Sequence, residues 1–211
     1  MAAGILYANT QGGVGVQLLL SDSVAGLFFQ VVPITILAGL IYAAGRCAFL
    51  RQRSLHPAWP REVLLFLFVC YLTGLINLVL VPANMWGHFW YSVFTGQQSD
   101  SLSPLFSGGF NLIPTFVRYL TGEFVGTPVS WISTMLVGNC LMLIPMGVFL
   151  PLVFPQLRGR KMAVAAPLIP LVIEFLQPIV GRSFDTDDLI CNTLGIFIGW
   201  GLVALFRKNR T

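Results

Sequence analysis

Charge is what this sequence has least of. Only 9% of its 211 residues are Asp, Glu, Lys or Arg, against about 25% in an ordinary soluble domain, which is too few to coat a water-facing surface. Histidine is nearly absent too, with His56 in a basic stretch and His88 in an aromatic run. The four cysteines, Cys47, Cys70, Cys140 and Cys191, show no CxxC spacing and have no neighbouring histidine, so they read as small apolar fillers rather than metal ligands or redox pairs. There is no HExxH, no GxSxG and no other nucleophile signature. The first twenty residues contain no Lys or Arg, hence no basic n-region of a signal peptide. The formal net charge of +4 does not imply a nucleic-acid partner, because the basic residues fall in short clusters between apolar runs instead of on one water-exposed face. No cofactor and no resident metal are expected.

What the chain does have is apolar length, with 56% hydrophobic residues. A helix needs roughly 20 mainly apolar residues to cross a bilayer. Five segments come close: 24–50, 62–82, 131–154, 162–180 and 188–206. The expected fold class is all-α, a polytopic membrane helix bundle of about five transmembrane helices. Pro145 with Gly147 in the third segment, and Pro167, Pro170 and Pro178 in the fourth, predict kinks or local unwinding.

Lys and Arg favour cytoplasmic loops near helix ends. Arg46, Arg51, Arg53 and Arg61 flank the first connection, Arg158, Arg160 and Lys161 the third, and Arg207, Lys208 and Arg210 form the tail, which is ten of the twelve basic residues. The sequence therefore predicts an N-terminus outside and a cytoplasmic C-terminus. Only Arg118 and Arg182 are left on the other side.

Segment 83–130 is too long and too apolar for an ordinary connector. Trp86, Phe89, Trp90, Tyr91 and Phe94 suit the headgroup level. Thr95 to Gly109 reads as an exposed link, and Asn111 to Leu120 as a short interfacial helix or part of a re-entrant loop. No internal repeat is evident, and the chain reads as one domain.

Ionisable residues inside membrane segments are costly and default to functional candidates. On the predicted topology, Asn139, Glu174, Gln177, Arg182, Asp185, Asp188 and Asn192 converge with Asn111 and Arg118 on the outer leaflet and its water boundary. Glu174 and Gln177 share a face at i, i+3, and Asp188 and Asn192 follow at i, i+4. These nine are the candidate ligand-binding residues, and Glu174, Asp185 and Asp188 are the candidates for acid–base chemistry. Structural readings compete with these roles. Asp185 or Asp187 can cap the fifth helix, the amides can be interhelical glue, and Gly195 and Gly199 form a GxxxG packing pair. Arg182 beside Asp185 and Asp187 can be a local ion pair. Glu174 resists such readings best, because a carboxylate in hydrocarbon must be neutral or meet a cation or several donors.

The elements NLIP (Asn111 to Pro114), GN (Gly138–Asn139), PMG (Pro145 to Gly147), ExxQ (Glu174 and Gln177) and RSFDTDDLICNTLG (Arg182 to Gly195) occur in order. Together they resemble the VanZ-like family of bacterial membrane proteins over about 62–206. That family commonly has Phe where this chain has Thr115, a departure that leaves Asn111 unaffected. The resemblance implies a bacterial plasma-membrane protein with a four-helix core, 62–206, to which an N-terminal region, 1–61, adds the first helix, and a basic tail, 207–211, follows. It also implies a link to reduced susceptibility to teicoplanin, a lipid-tailed glycopeptide antibiotic.

Three mechanisms follow from these residues. The first is an outward-facing polar pocket that binds or handles an amphiphile or a lipid-linked cell-envelope molecule, with Arg118 and Arg182 recognising phosphate. The second is a membrane enzyme acting on a lipid or cell-wall precursor. A divalent ion on Asp185, Asp187 and Asp188 would suit it, although consecutive carboxylates at a helix start point in different directions. The third is a lipid flippase built on kinked helices around a buried carboxylate. The expected partners are membrane lipids and a lipid-linked or amphiphilic ligand, and a homo-oligomer is compatible with the sequence.

Overall fold

The computed structural model describes residues 16, 19–21, 23–82, 85–97, 104–123 and 129–208. Seven α-helices lie among them. Five are long and apolar enough to cross a membrane: Ala25–Gln52, Trp59–Val79, Leu136–Val153, Arg160–Val180 and Thr186–Lys208. Each overlaps one of the five segments expected from the sequence, since span length is set by bilayer thickness and not by neighbours. Large apolar side chains such as Leu40, Ile41, Val164 and Leu205 lie exposed along them, as lipid-facing positions require. The chain folds as two compact units, 1–104 and 105–211.

The first unit contains α1 (Val24–Gln52), α2 (Trp59–Val79) and α3 (Met85–Thr95). Ser23 caps α1 by accepting the Gly26 N–H at 3.1 Å, satisfying one of the orphan donors of a helix start. Pro60 enters α2 in its first turn, where the missing N–H costs nothing. At one end of the α1–α2 pair, Glu62 takes two bonds from Arg46, Nε to Oε2 at 2.7 Å and Nη2 to Oε1 at 2.8 Å. The aromatic run is helical, and its indoles tie α3 to the pair: Trp90 Nε1 donates to the Gln30 carbonyl at 2.9 Å and Trp86 Nε1 to Asn77 Oδ1 at 3.1 Å.

The second unit is built on β1 (Phe110–Asn111), α4 (Thr115–Leu120), α5 (Val129–Val153), α6 (Arg160–Leu176), β2 (Phe184–Asp185) and α7 (Thr186–Lys208). Single 3₁₀ turns at Pro155–Leu157 and Gln177–Val180 flank α6. Its closest packing is α5 on α7. A Cβ on Gly195 would run into the carbonyl of Cys140, one on Gly199 into that of Ile144, and one on Gly147 into that of Ile196. The GxxxG pair is thus a packing device: small residues let two backbones approach where lipid supplies no hydrophobic drive. Met162, Leu143 and Ile196 are fully buried in this unit.

One local expectation is corrected and one is refined. Asn111 to Leu120 is not one helix. Asn111 lies in a two-residue strand, and α4 starts only at Thr115, because Pro114 biases the residue before it toward extended backbone. Gln177 lies in the fourth spanning segment, as expected, and opens the 3₁₀ turn that ends it, with Pro178 directly behind. That tightening still leaves Gln177 over Glu174.

Candidate functional site

The site grows from the end of α6. Gly181 adopts a left-handed conformation (φ 77°) after the 3₁₀ turn, one that glycine takes without a Cβ penalty. The chain reverses there, and Arg182 N–H closes the reversal on the Gln177 carbonyl at 3.0 Å. Phe184–Asp185 then pairs in parallel with Phe110–Asn111, Phe110 opposite Phe184 and Asn111 opposite Asp185. The two phenyl rings stack at 5.8 Å. Gly108 admits this approach, because a Cβ there would collide with the Arg182 carbonyl.

Beneath the ladder, Glu174 is wholly buried. Its Oε2 accepts the Asp185 backbone N–H at 2.8 Å; with the Gln177 amide turned to the orientation that satisfies both its atoms, Nε2 donates to the same Oε2 at 3.0 Å and to the Ser183 carbonyl at 2.9 Å. Asp185 has two duties. Its Oδ2 accepts from Asn111 Nδ2 at 2.8 Å, and its Oδ1 accepts the Asp187 N–H at 2.8 Å, capping α7. Asp187 turns the other way and accepts the Thr115 N–H at 2.6 Å, capping α4 across 72 residues of chain. Asp188 accepts from Asn139 Nδ2 on α5. Thr186 Oγ1 lies 3.2 Å from the carbonyls of both Asn111 and Leu112.

The two cations differ in setting. Arg118 is partly exposed, paired with Glu123 at 2.7 Å and bonded to Asn111 Oδ1 at 3.3 Å. Arg182 is drawn inward. Burial lowers its pKa from the usual arginine value, while Asp188 and Glu174 push it back up. Arg182 thus feels the charge of Asp188 and Glu174, while Arg118 is engaged by Glu123. Two acceptors in this unit have no hydrogen-bond partner among the described residues, Glu174 Oε1 and Asn192 Oδ1. Asn192 is itself buried, one turn beyond Asp188 on α7.

All nine candidate residues fall in the second unit. Asn111, Arg118 and Asp185 form one bonded chain, Glu174 accepts from both the Asp185 N–H and the Gln177 amide, and Asn139 holds Asp188. Asn192 is placed by its position one turn beyond Asp188 on α7, and Arg182 by the charge of Asp188 and Glu174 acting on it. The aspartates are divided among separate partners, as their different directions at a helix start imply.

Sequence reasoning overlooked Glu123, Thr186 and Ser183. Glu123 had a visible signal, an acid five residues beyond Arg118 in a segment otherwise poor in charge. Thr186 and Ser183 had none, because each acts through a pairing made 70 residues away or by a backbone carbonyl.

An apolar groove of about 310 Å³ lies beside the cluster, between α6 and α7, lined by Pro167, Leu171, Leu189, Ile190, Leu194 and Phe197. Leu189 and Ile190 sit in sequence between Asp188 and Asn192, so polar acceptors and apolar wall share one stretch of α7.

No curated protein and no solved structure gives a match to the chain. The VanZ/LLP1 family profile matches residues 66–207, well over half of it and including every residue of the cluster. On that match, and with five apolar helices long enough to span a bilayer, the chain belongs to the VanZ/LLP1 family and is a VanZ-like membrane protein.

Proposed function

We propose that this protein handles an amphiphile or lipid-linked cell-envelope molecule, taking its polar head at the Glu174–Arg182–Asn192 cluster and its apolar part along the α6–α7 groove. The observation that carries this reading is the pair of buried, unpartnered acceptors, Glu174 Oε1 and Asn192 Oδ1. A buried acceptor without a donor costs about 1–3 kcal/mol, so a fold that keeps two of them has a use for them. They suit a headgroup carrying hydroxyl or amine donors, and the Arg182 guanidinium, which interacts electrostatically with Glu174 and Asp188, suits its phosphate or carboxylate. The groove beginning at Leu189 gives the same molecule an apolar berth. The bias of ten of twelve basic residues to the opposite side supports placing the cluster at the outer leaflet. There it would compete with, or alter, the anchoring of a lipid-tailed glycopeptide, and so lower susceptibility to it.

The test is expression in a susceptible Gram-positive host, with growth inhibition measured for teicoplanin and for a glycopeptide lacking an acyl tail. The intact protein is expected to protect against the first and not the second. Arg182→Ala and Asn192→Leu are expected to lose protection while remaining in the membrane at normal abundance. Full protection by well-expressed Arg182→Ala would sink the reading.

A second reading is a membrane enzyme that uses Glu174 as acid or base. It is favoured by Glu174 offering one fixed oxygen, held by Asp185 N–H and Gln177, and one oxygen open to a reacting proton. Lipid composition compared between deletion, wild-type and Glu174→Gln strains decides it, and an unchanged profile removes it.

A further inference from the structure

A second groove belongs to the first unit and, but for Phe66, lies outside the family-matched residues. It is a groove of about 670 Å³ at the turn from α1 to α2, within the roughly 300–1,000 Å³ of small-ligand sites. Its walls are apolar: Tyr42, Leu50, Leu55, Trp59, Val63 and Phe66. Its polar side chains are Arg46, Arg51, Ser54, His56 and Glu62. The turn is made by Ser54, which takes a left-handed conformation (φ 49°), and by the Leu55 N–H closing on the Leu50 carbonyl at 3.0 Å. That closure brings Leu55 and His56 into the lining.

The charges decide what fits. Glu62 is the sole acid in the lining, and both its oxygens are taken by Arg46. Arg46 spends only Nε and Nη2 on that pair, so further guanidinium donors remain. The Arg51 guanidinium, in the last turn of α1, has no hydrogen-bond or ion-pair partner among the described residues. The lining is therefore net positive, and Arg53 and Arg61 add charge beside it in sequence. Trp59, 70% exposed at the start of α2, is the residue type that settles at headgroup depth.

We propose that this groove is a binding site for an anionic glycerophospholipid, with one acyl chain against Tyr42, Val63 and Phe66 and the phosphate at Arg51 and the free face of Arg46. A free phosphate would leave the apolar wall bare, and a zwitterionic lipid would bring its own cation to an already cationic mouth. The Lys/Arg count places this end in the cytoplasmic leaflet, where anionic lipids concentrate and basic clusters bind them. The site shares no residue with the Glu174–Arg182–Asn192 cluster and does not depend on what that cluster handles.

Native mass spectrometry of the full chain in detergent tests it, titrating dioleoyl phosphatidylglycerol against dioleoyl phosphatidylcholine. Wild type is expected to bind the first more tightly. Arg51→Ala is expected to weaken phosphatidylglycerol about tenfold, or about 1.4 kcal/mol, and to leave phosphatidylcholine unchanged. Lys161→Ala, a basic residue outside the groove, is expected to change neither. Val63→Trp, at a position already half exposed, fills the groove and is expected to reduce both lipids. Inorganic phosphate and glycerol phosphate are expected not to compete at equal concentration. Equal affinity for the two lipids overturns the proposal, as does unaltered phosphatidylglycerol binding by Arg51→Ala or displacement by inorganic phosphate. Arg51 is exposed on the last turn of α1, so its truncation leaves the fold available for the measurement.

Discussion

The backbone N–H of Asp185 donates to Oε2 of Glu174 at 2.8 Å. This bond joins the end of α6 to the residue that caps α7, so the carboxylate at the centre of the candidate site also fixes the turn between two spanning helices. Role and scaffold meet in one side chain, and experiments on Glu174 must separate them.

Glutamine can separate them. Glu174→Gln keeps an oxygen for the Asp185 N–H, whereas Glu174→Ala leaves that donor buried and unpaired, at about 1–3 kcal/mol, and opens a void in a fully buried position. The expected order of thermal midpoints in detergent is wild type, then Gln, then Ala. If Gln also removes protection against the lipid-tailed drug while retaining its midpoint, Glu174 serves the ligand as well as the turn.

Asn139 and Asp188 should be energetically coupled, because the amide on α5 donates directly to the carboxylate on α7. Interhelical bonds of this kind are worth about 0.6 kcal/mol on average and up to about 1.7 in measured cycles. A double-mutant cycle with Asn139→Ala and Asp188→Ala is expected to give coupling in that range. The same cycle between Asn139 and Asp187 should give none, since Asp187 is committed to Thr115.

The link from Asp187 to Thr115 has its own readout. Removing the carboxylate strips the cap from α4, whose preceding residue, Pro114, offers no side-chain acceptor. Loss of an N-cap costs about 0.5–2 kcal/mol. Asp187→Ala is therefore expected to speed amide hydrogen exchange across Thr115–Leu120 while leaving α5 and α6 protected. Unchanged exchange in α4 would mean that something other than this bond holds the helix start.

These bonds show which parts of the molecule the sequence reveals. A spanning helix is a local object, specified by some twenty apolar residues in a row, and all five were readable together with the polar positions they carry. Glu174 and Gln177 were correctly paired because i, i+3 spacing survives the change from α to 3₁₀. The β1–β2 ladder was not readable. Two residues are too short to show alternation, and their partners lie more than 70 positions apart. Its consequences were hidden with it: Asn111 bonded to Asp185, the helix start delayed to Thr115, and Asp187 capping a helix other than its own. The capping expectation for Asp185 was met because a cap acts within three residues.

Glycine packing gives a paired prediction. A methyl at Gly199 would strike the Ile144 carbonyl, while one at Gly201 meets nothing within 4 Å. Gly199→Ala must push α5 from α7 at a cost of about 1–3 kcal/mol, lowering the thermal midpoint in detergent. Gly201→Ala should be neutral or stabilising by up to about 1 kcal/mol, the helix-propensity difference between the residues. Equal effects of the two would show that α5 and α7 do not approach as closely as the fold requires.

Sidedness is the remaining premise of both proposed sites, and one helix suffices to test it. Gln52 ends α1 and Gln97 follows α3, with α2 lying between them in the chain. In a variant with the four native cysteines replaced, Gln97→Cys is expected to react with a membrane-impermeant maleimide on intact protoplasts. Gln52→Cys should react only after the membrane is opened. The positive-inside bias rests on four arginines around the first connection, Arg46, Arg51, Arg53 and Arg61. The reverse labelling pattern would place the Glu174–Arg182–Asn192 cluster in the cytoplasm and the arginine groove in the outer leaflet, and would remove the sidedness argument from both proposals.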